Sequence, residues 1–145
     1  MSVGCLVDTD VLSEARRGAR ANAGVRRFFD TAVRTGQSLY LSVITIGELR
    51  RGVELLRHRR DSAQADRLEP WLEMLLARHR DEILDFGEQE AQVWGRLRVL
   101  RPENALDKQI AATALTHGLT LVTGNGSHFA GLGLHVLNPF SAPSP

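Results

Sequence analysis

Cys5-Leu6-Val7-Asp8-Thr9-Asp10-Val11-Leu12-Ser13-Glu14 is the stretch on which the reading of the whole chain turns. Val3 to Val7 is a short apolar run, long enough for one buried strand. It stops at a carboxylate, Asp8, and a second one, Asp10, follows two residues on. A helical pattern then runs from Val11 to Arg17, with Gly18 as its stop. In an open parallel sheet, ligands gather at the carboxyl ends of the strands. An Asp just past an apolar strand therefore stands where chemistry is usually done. The competing reading is local: Asp is a favoured helix N-cap, and Asp8 or Asp10 serves as one. The stretch alone leaves both readings open.

Outward from it, strand and helix patterns alternate. Asn22 is placed to cap a helix that runs to Thr35 and stops at Gly36. Ser38 to Val43 is a second strand, apolar enough to be covered on both faces. Ile46, Leu49, Val53 and Leu56 fall at helical spacing. After a polar break at 58–62, with Asp61 or Ser62 as N-cap, another helix covers about 63–80, and Pro70 predicts a kink or boundary inside it. Ile83 to Phe86 is a third strand. Residues 88–101 form a helix with Ala91, Trp94, Leu97 and Val99 or Leu100 partly buried, and 105–117 form the next. Leu119 to Thr123 is the most β-rich run, 124–129 a turn, and Leu134 to Leu137 a last strand. This alternation predicts a three-layer α/β/α sandwich: a central parallel sheet between helices, joined by right-handed crossovers. One domain is expected over residues 1–140, followed by a loose Ser/Pro tail at 141–145.

Composition narrows the function classes. Hydrophobic residues make up 43% and charged residues 24% of the 145, which is ordinary for a globular domain, and the net charge of +1 does not announce a nucleic-acid partner. Lys108 is the only lysine; every other basic residue is Arg, which grips phosphate and carboxylate bidentately. The single cysteine, Cys5, sits in an apolar run and reads as a buried small hydrophobe. No zinc spacing is present. The N-terminus has no signal-peptide pattern and no apolar run reaches the length of a membrane span, so a cytoplasmic protein without membrane association is expected.

Two further carboxylates bear on Asp8. Asp107 precedes Ile110, Ala111 and Ala114 at helical spacing, which puts it on the core-facing stripe of its helix. An ionised carboxylate there is costly unless paired or bound to a metal. Glu48 lies at the edge of the Ile46–Leu49–Val53 stripe, where its head group can turn inward or serve the helix dipole. Asn125 follows the strongest strand. If Asp8, Glu48, Asp107 and Asn125 meet at one rim of the sheet, their oxygens suit Mg²⁺ or Mn²⁺ and not zinc, and such a site serves phosphoryl chemistry.

In these segments the chain resembles the PIN-domain nucleases, in particular the VapC-like toxins of toxin–antitoxin pairs. The resemblance rests on Leu6–Glu14, on Ser42–Gly52, on Leu106–Ala114, on Gly118–Asn125 and on Leu137-Asn138-Pro139-Phe140. It implies a Mg²⁺- or Mn²⁺-dependent endoribonuclease with Asp8, Glu48 and Asp107 as the acidic metal positions. It also implies Asn125 as a fourth metal position, Thr9 as a small hydroxyl residue beside Asp8, and both Thr9 and Asn125 as substrate-binding. It further implies an RNA substrate, a homodimer, a VapB-like antitoxin encoded alongside, and operator DNA bound only through the antitoxin. The chain departs from a frequent family run, Thr-Arg-Asn-x-x-Asp-Phe, at two places: Gly124 stands for the Arg and His128 for the Asp. A weakened second metal position, a looser loop at Gly124 and Gly126, and partial compensation by Asp10 are the expectations. The alternative function is a catalytically weak PIN-like protein that binds RNA or antitoxin. A phosphatase reading of Asp8-Thr9-Asp10 fails because Leu12 stands where that motif has a hydroxyl or small branched residue.

Overall fold

The computed structural model describes residues 4–141; Val3 of the expected first strand and residues 142–145 of the expected tail lie outside the described residues. Five strands form one all-parallel sheet: β1 (Cys5–Val7), β2 (Leu39–Ser42), β3 (Ile83–Leu84), β4 (Thr120–Val122) and β5 (Val136–Leu137), in the order β3-β2-β1-β4-β5. β1 holds the centre, with Cys5 facing Leu39 on one side and Thr120 on the other. Its residues are buried on both faces, which is what an unbroken apolar run requires. The edge strand β5 is shorter, and its Val136 and Leu137 are exposed.

Helices cover both faces. α1 (Thr9–Ala15), α2 (Ala23–Thr35), α3 (Val43–His58) and α4 (Ser62–Arg78) pack on the side of Cys5, Val7, Leu39, Leu41 and Val122. α5 (Glu88–Leu100) and α6 (Ala105–His117) pack on the side of Leu6 and Leu121, where Ile110, Ala111 and Ala114 complete a second core cluster. Alternate residues of β1 and β4 thus feed opposite cores, as the two-residue period of a strand dictates. This is the three-layer sandwich with a central parallel sheet that the sequence predicts.

Several boundaries follow from caps. Asn22 accepts from the backbone of Gly24 and Val25, and Gly36 ends α2 in the left-handed conformation. Asp61 caps α4. Other expectations are corrected. α1 starts at Thr9, two residues early, because Asp8 caps it, and it ends at Ala15 before a 3₁₀ turn at Gly18–Arg20. Ser42 caps α3, so β2 stops one residue short of Val43. α4 runs through Pro70 without a boundary. Pro70 is exposed, and Ala65, Leu72 and Leu75 bury the helix on either side of it, which outweighs the lost hydrogen bond of about 3 kcal/mol. On α5 the inward face is Glu90, Val93, Trp94 and Leu97; Ala91, Val99 and Leu100 are exposed. No helix among the described residues is long and apolar enough to cross a membrane.

Candidate metal centre

Asp8 extends β1 by one bond, its N–H donating to the Val122 carbonyl at 2.9 Å, so its side chain leaves the sheet at the carboxyl end. Both readings of the opening stretch hold at once. Asp8 Oδ1 caps α1 by accepting from Thr9 N–H at 2.8 Å, and Oδ2 accepts from the Thr123 hydroxyl at 2.8 Å. The carboxylate is 4% exposed. Thr123, at the end of β4, is itself buried and accepts from the Asn125 N–H at 3.1 Å. Thr9 Oγ1 lies 3.2 Å from both Glu48 Oε1 and Thr45 Oγ1, which ties the first turn of α1 to α3. Glu48 is half-buried at the edge of its helix face, as its spacing implies.

Asp107 corrects an expectation. Ile110, Ala111 and Ala114 are fully buried, but Asp107 in the first turn of α6 keeps its side chain 25% exposed and is paired with His128, Nδ1 to Oδ2 at 2.7 Å. The residue that goes under is Lys108, 1% exposed, whose ammonium donates to the Glu103 carbonyl. The available signal was its being the sole lysine of an Arg-rich chain. Thr123 and Thr45 were also missed, because a strand-end or helical Thr carries no mark of what it touches.

Negative charge accumulates here. Burial pushes the Asp8 carboxyl up to about 6, with Asp10 and Asp107 adding to the rise and the Thr123 and Thr9 hydrogen bonds opposing it. Burial likewise raises Asp10 and Glu48; Asp107 adds to the rise at Glu48, and Arg51 offsets part of it. Asp10 Oδ1 is buried without a hydrogen-bond partner. Among the described residues, no three His, Cys, Asp or Glu side chains form a ready-made cage for an ion. The chemistry of the donor set, the buried Asp8, Asp10 and Glu48 carboxylates with raised proton affinity and one orphaned oxygen, fits a hard divalent cation.

Comparison with known proteins gives the family. Residues 5–132 match the sequence model of the PIN domain. The chain belongs to the PIN-domain family. It is 34% identical over 141 residues to Toxin FitB of Neisseria gonorrhoeae, covering 93% of this chain and 97% of that one. It is 31% identical over 138 residues to VapC ribonuclease Y4jK of Sinorhizobium fredii, covering 93% and 96%. The crystal structure of FitAcB from Neisseria gonorrhoeae superposes with a TM-score of 0.83 at 32% identity, over 95% of this chain and 99% of that one.

In this PIN domain the loop after β4 is held, not loosened, at Gly124. Its N–H donates to Asp10 Oδ2 at 2.8 Å. A Cβ there would lie 2.7 Å from that oxygen and 2.8 Å from the Phe140 ring. A side chain at 124 would therefore force Asp10 or the Phe140 ring to shift. Asn125 follows, exposed, and leads into a 3₁₀ turn at Gly126–Phe129 that carries His128.

Proposed function

We propose that this PIN domain is an endoribonuclease toxin whose Asp8, Glu48 and Asp107, joined by Asn125, hold Mg²⁺ or Mn²⁺. The observation that carries the proposal is the charge at the end of β1. Asp107 of α6 acts on Asp8, just past β1, and on Glu48 of α3, while the ammonium of the neighbouring Lys108 donates to the Glu103 carbonyl. With a divalent ion held by these residues, the site would gain charge neutralisation at the scissile phosphate and a water of lowered pKa. Asp8, fixed by Thr9 and Thr123, keeps one orientation as it loses its proton. Thr9 keeps its hydroxyl beside Glu48, within reach of a substrate oxygen. Asn125 is carried by the Thr123 hydroxyl that also holds Asp8, so loop and carboxylate move together. The chain hydrolyses RNA phosphodiesters in this reading, as one domain over residues 1–140.

The partners follow from the relatives. A solved structure of FitAB bound to an IR36 DNA fragment superposes with a TM-score of 0.74 at 30% identity, covering 97% of this chain and 98% of that one. This supports an antitoxin partner and DNA reached in complex with it. On the same proposal the antitoxin is of VapB type, the DNA is its operator, and this chain is a cytoplasmic homodimer.

The test is expression in a bacterial host alongside Asp8→Ala and Asp107→Ala, with cleavage of total RNA mapped in Mg²⁺, Mn²⁺ and EDTA. Growth arrest and ion-dependent cuts from the parent chain, both lost in the variants, are expected. Equal toxicity from all three proteins would overturn the assignment. A second reading, a weak enzyme that chiefly binds, is favoured by one contact: His128 occupies Asp107 Oδ2. Under it, His128→Asp raises cleavage at least tenfold; under the first reading it does not.

A further inference from the structure

A cavity of about 270 Å³ opens between α1, α3 and α4 and is continuous with the candidate centre, because Thr9 and Glu48 line it. Val53, Leu56 and the half-buried Trp71 give it apolar walls, and the exposed Arg16 contributes the cationic group. Gly52 lies on the same lining, and a methyl group added to it meets no atom within 4 Å. The catalytic reading makes no use of this space. The cavity is a little smaller than those that enclose drug-sized ligands, about 300–1,000 Å³, and suits one heterocycle.

We propose that this cavity receives one unpaired nucleobase of the RNA, next to the phosphate being cut. This rests on the nuclease reading. The chemistry of the walls argues for it. A nucleotide carries a flat, largely apolar ring a short chain away from an anionic phosphate. The cavity gathers an indole and aliphatic side chains on the same lining as the Glu48 carboxylate and Arg16. Bases splayed out of single-stranded RNA stack on aromatic side chains, and a paired base is not free to leave its helix. The absence of a side chain at Gly52 leaves the entrance open, although a mid-helix Gly weakens α3 by about 1 kcal/mol relative to Ala.

Gly52→Leu fills the cavity from a position one helical turn beyond Glu48, so occupancy is read without metal or catalysis, and Gly52→Ala is the control that strengthens the helix and leaves most of the space. Both are expected to melt at or above the parent temperature. The four ribonucleosides, uncharged and added without metal, are titrated while the indole N–H resonances are followed by NMR. The expected result is a shift at Trp71 and none at Trp94, kept in Gly52→Ala and lost in Gly52→Leu. The second measurement is cleavage of an unstructured oligoribonucleotide and of the same strand annealed to its complement. The parent should prefer the single strand at least tenfold, and Gly52→Leu should lose at least tenfold in kcat/KM on it.

No nucleoside response at Trp71 in the folded parent overturns the proposal and leaves the nuclease reading standing. A Trp71 response in a protein that never cuts RNA, with or without Asp8, sinks the nuclease reading and with it the proposed role in cleavage. If Gly52→Leu cuts RNA as the parent does but escapes neutralisation when the antitoxin is co-expressed, the cavity belongs to a protein side chain and the proposal fails.

Discussion

Asp8 makes the folded chain pay for its chemistry. Unfolded, its carboxyl titrates near the ordinary value of 3.8; folded, near 6. Between those values the folded state holds the additional proton, so stability falls as pH rises from about 4 to about 6 and levels off above. The difference is worth about 3 kcal/mol. Asp8→Asn keeps an oxygen for the Thr9 N–H and removes the charge. At neutral pH without divalent ions it should raise the melting temperature by about 4 °C or more. Mn²⁺ should stabilise the parent increasingly as pH rises through 6 and leave the Asn variant unmoved. Thermal scans from pH 5 to 8, with and without the ion, check both halves. A variant that melts below the parent at every pH would refute the burial argument. At this scale the sequence was partly readable. Asp8 is marked by the end of an apolar run, whereas Thr123, its partner, lies 115 positions away with no local signal. Asp107 was misjudged for a related reason: periodicity assigns a face, but a first-turn side chain can swing to a neighbour, here His128, while the adjacent Lys108 goes inward.

Between elements, contacts with no slack decide the outcome. Gly124→Ala sets a methyl group against Asp10 and Phe140 and should cost about 1–3 kcal/mol. Adding Asp10→Ser to Gly124→Ala should recover part of that loss, a coupling readable by a double-mutant cycle in urea. Strict additivity would show that the two do not act through each other. Gly24 is tighter still: a Cβ there would lie 2.0 Å from the Pro139 carbonyl, so Gly24→Ala should detach the 3₁₀ turn Pro139–Ser141 from α2. Loss of amide protection confined to that turn and α2 is the expected hydrogen-exchange signature. α3 and α4 are joined differently, by Glu69 accepting from both Arg50 and Arg57 at 2.8–2.9 Å. The two guanidiniums hold the Glu69 carboxyl down at about 2, so this link persists above the ordinary carboxylate value of 4.5 and is lost as pH falls through 2. Glu69→Gln should lower the melting temperature at low salt, and the difference should shrink in 1 M NaCl. None of these contacts is visible in the sequence. Caps and helix stops were, because Asn22, Gly36 and Asp61 act within their own turn.

For the molecule as a whole, layer order and sheet direction were legible, since alternation of strand and helix leaves few topologies open. The exact ends of β3 and β5 were not, because two-residue edge strands are set by their neighbours and not by their own residues. The central place of β1 carries a further consequence for synthesis. The ribosome delivers β1 first, yet its flanking strands arrive at Leu39 and at Thr120. Contacts so distant along the chain make folding slow and keep it waiting on the C-terminal part. Asp8 gains its second hydrogen bond when Thr123 has emerged, and Asn125 comes later still. A nascent chain that has not yet delivered β4 and Thr123 therefore lacks half of what holds Asp8, and the proposed nuclease centre is harmless to the ribosome making it up to that point.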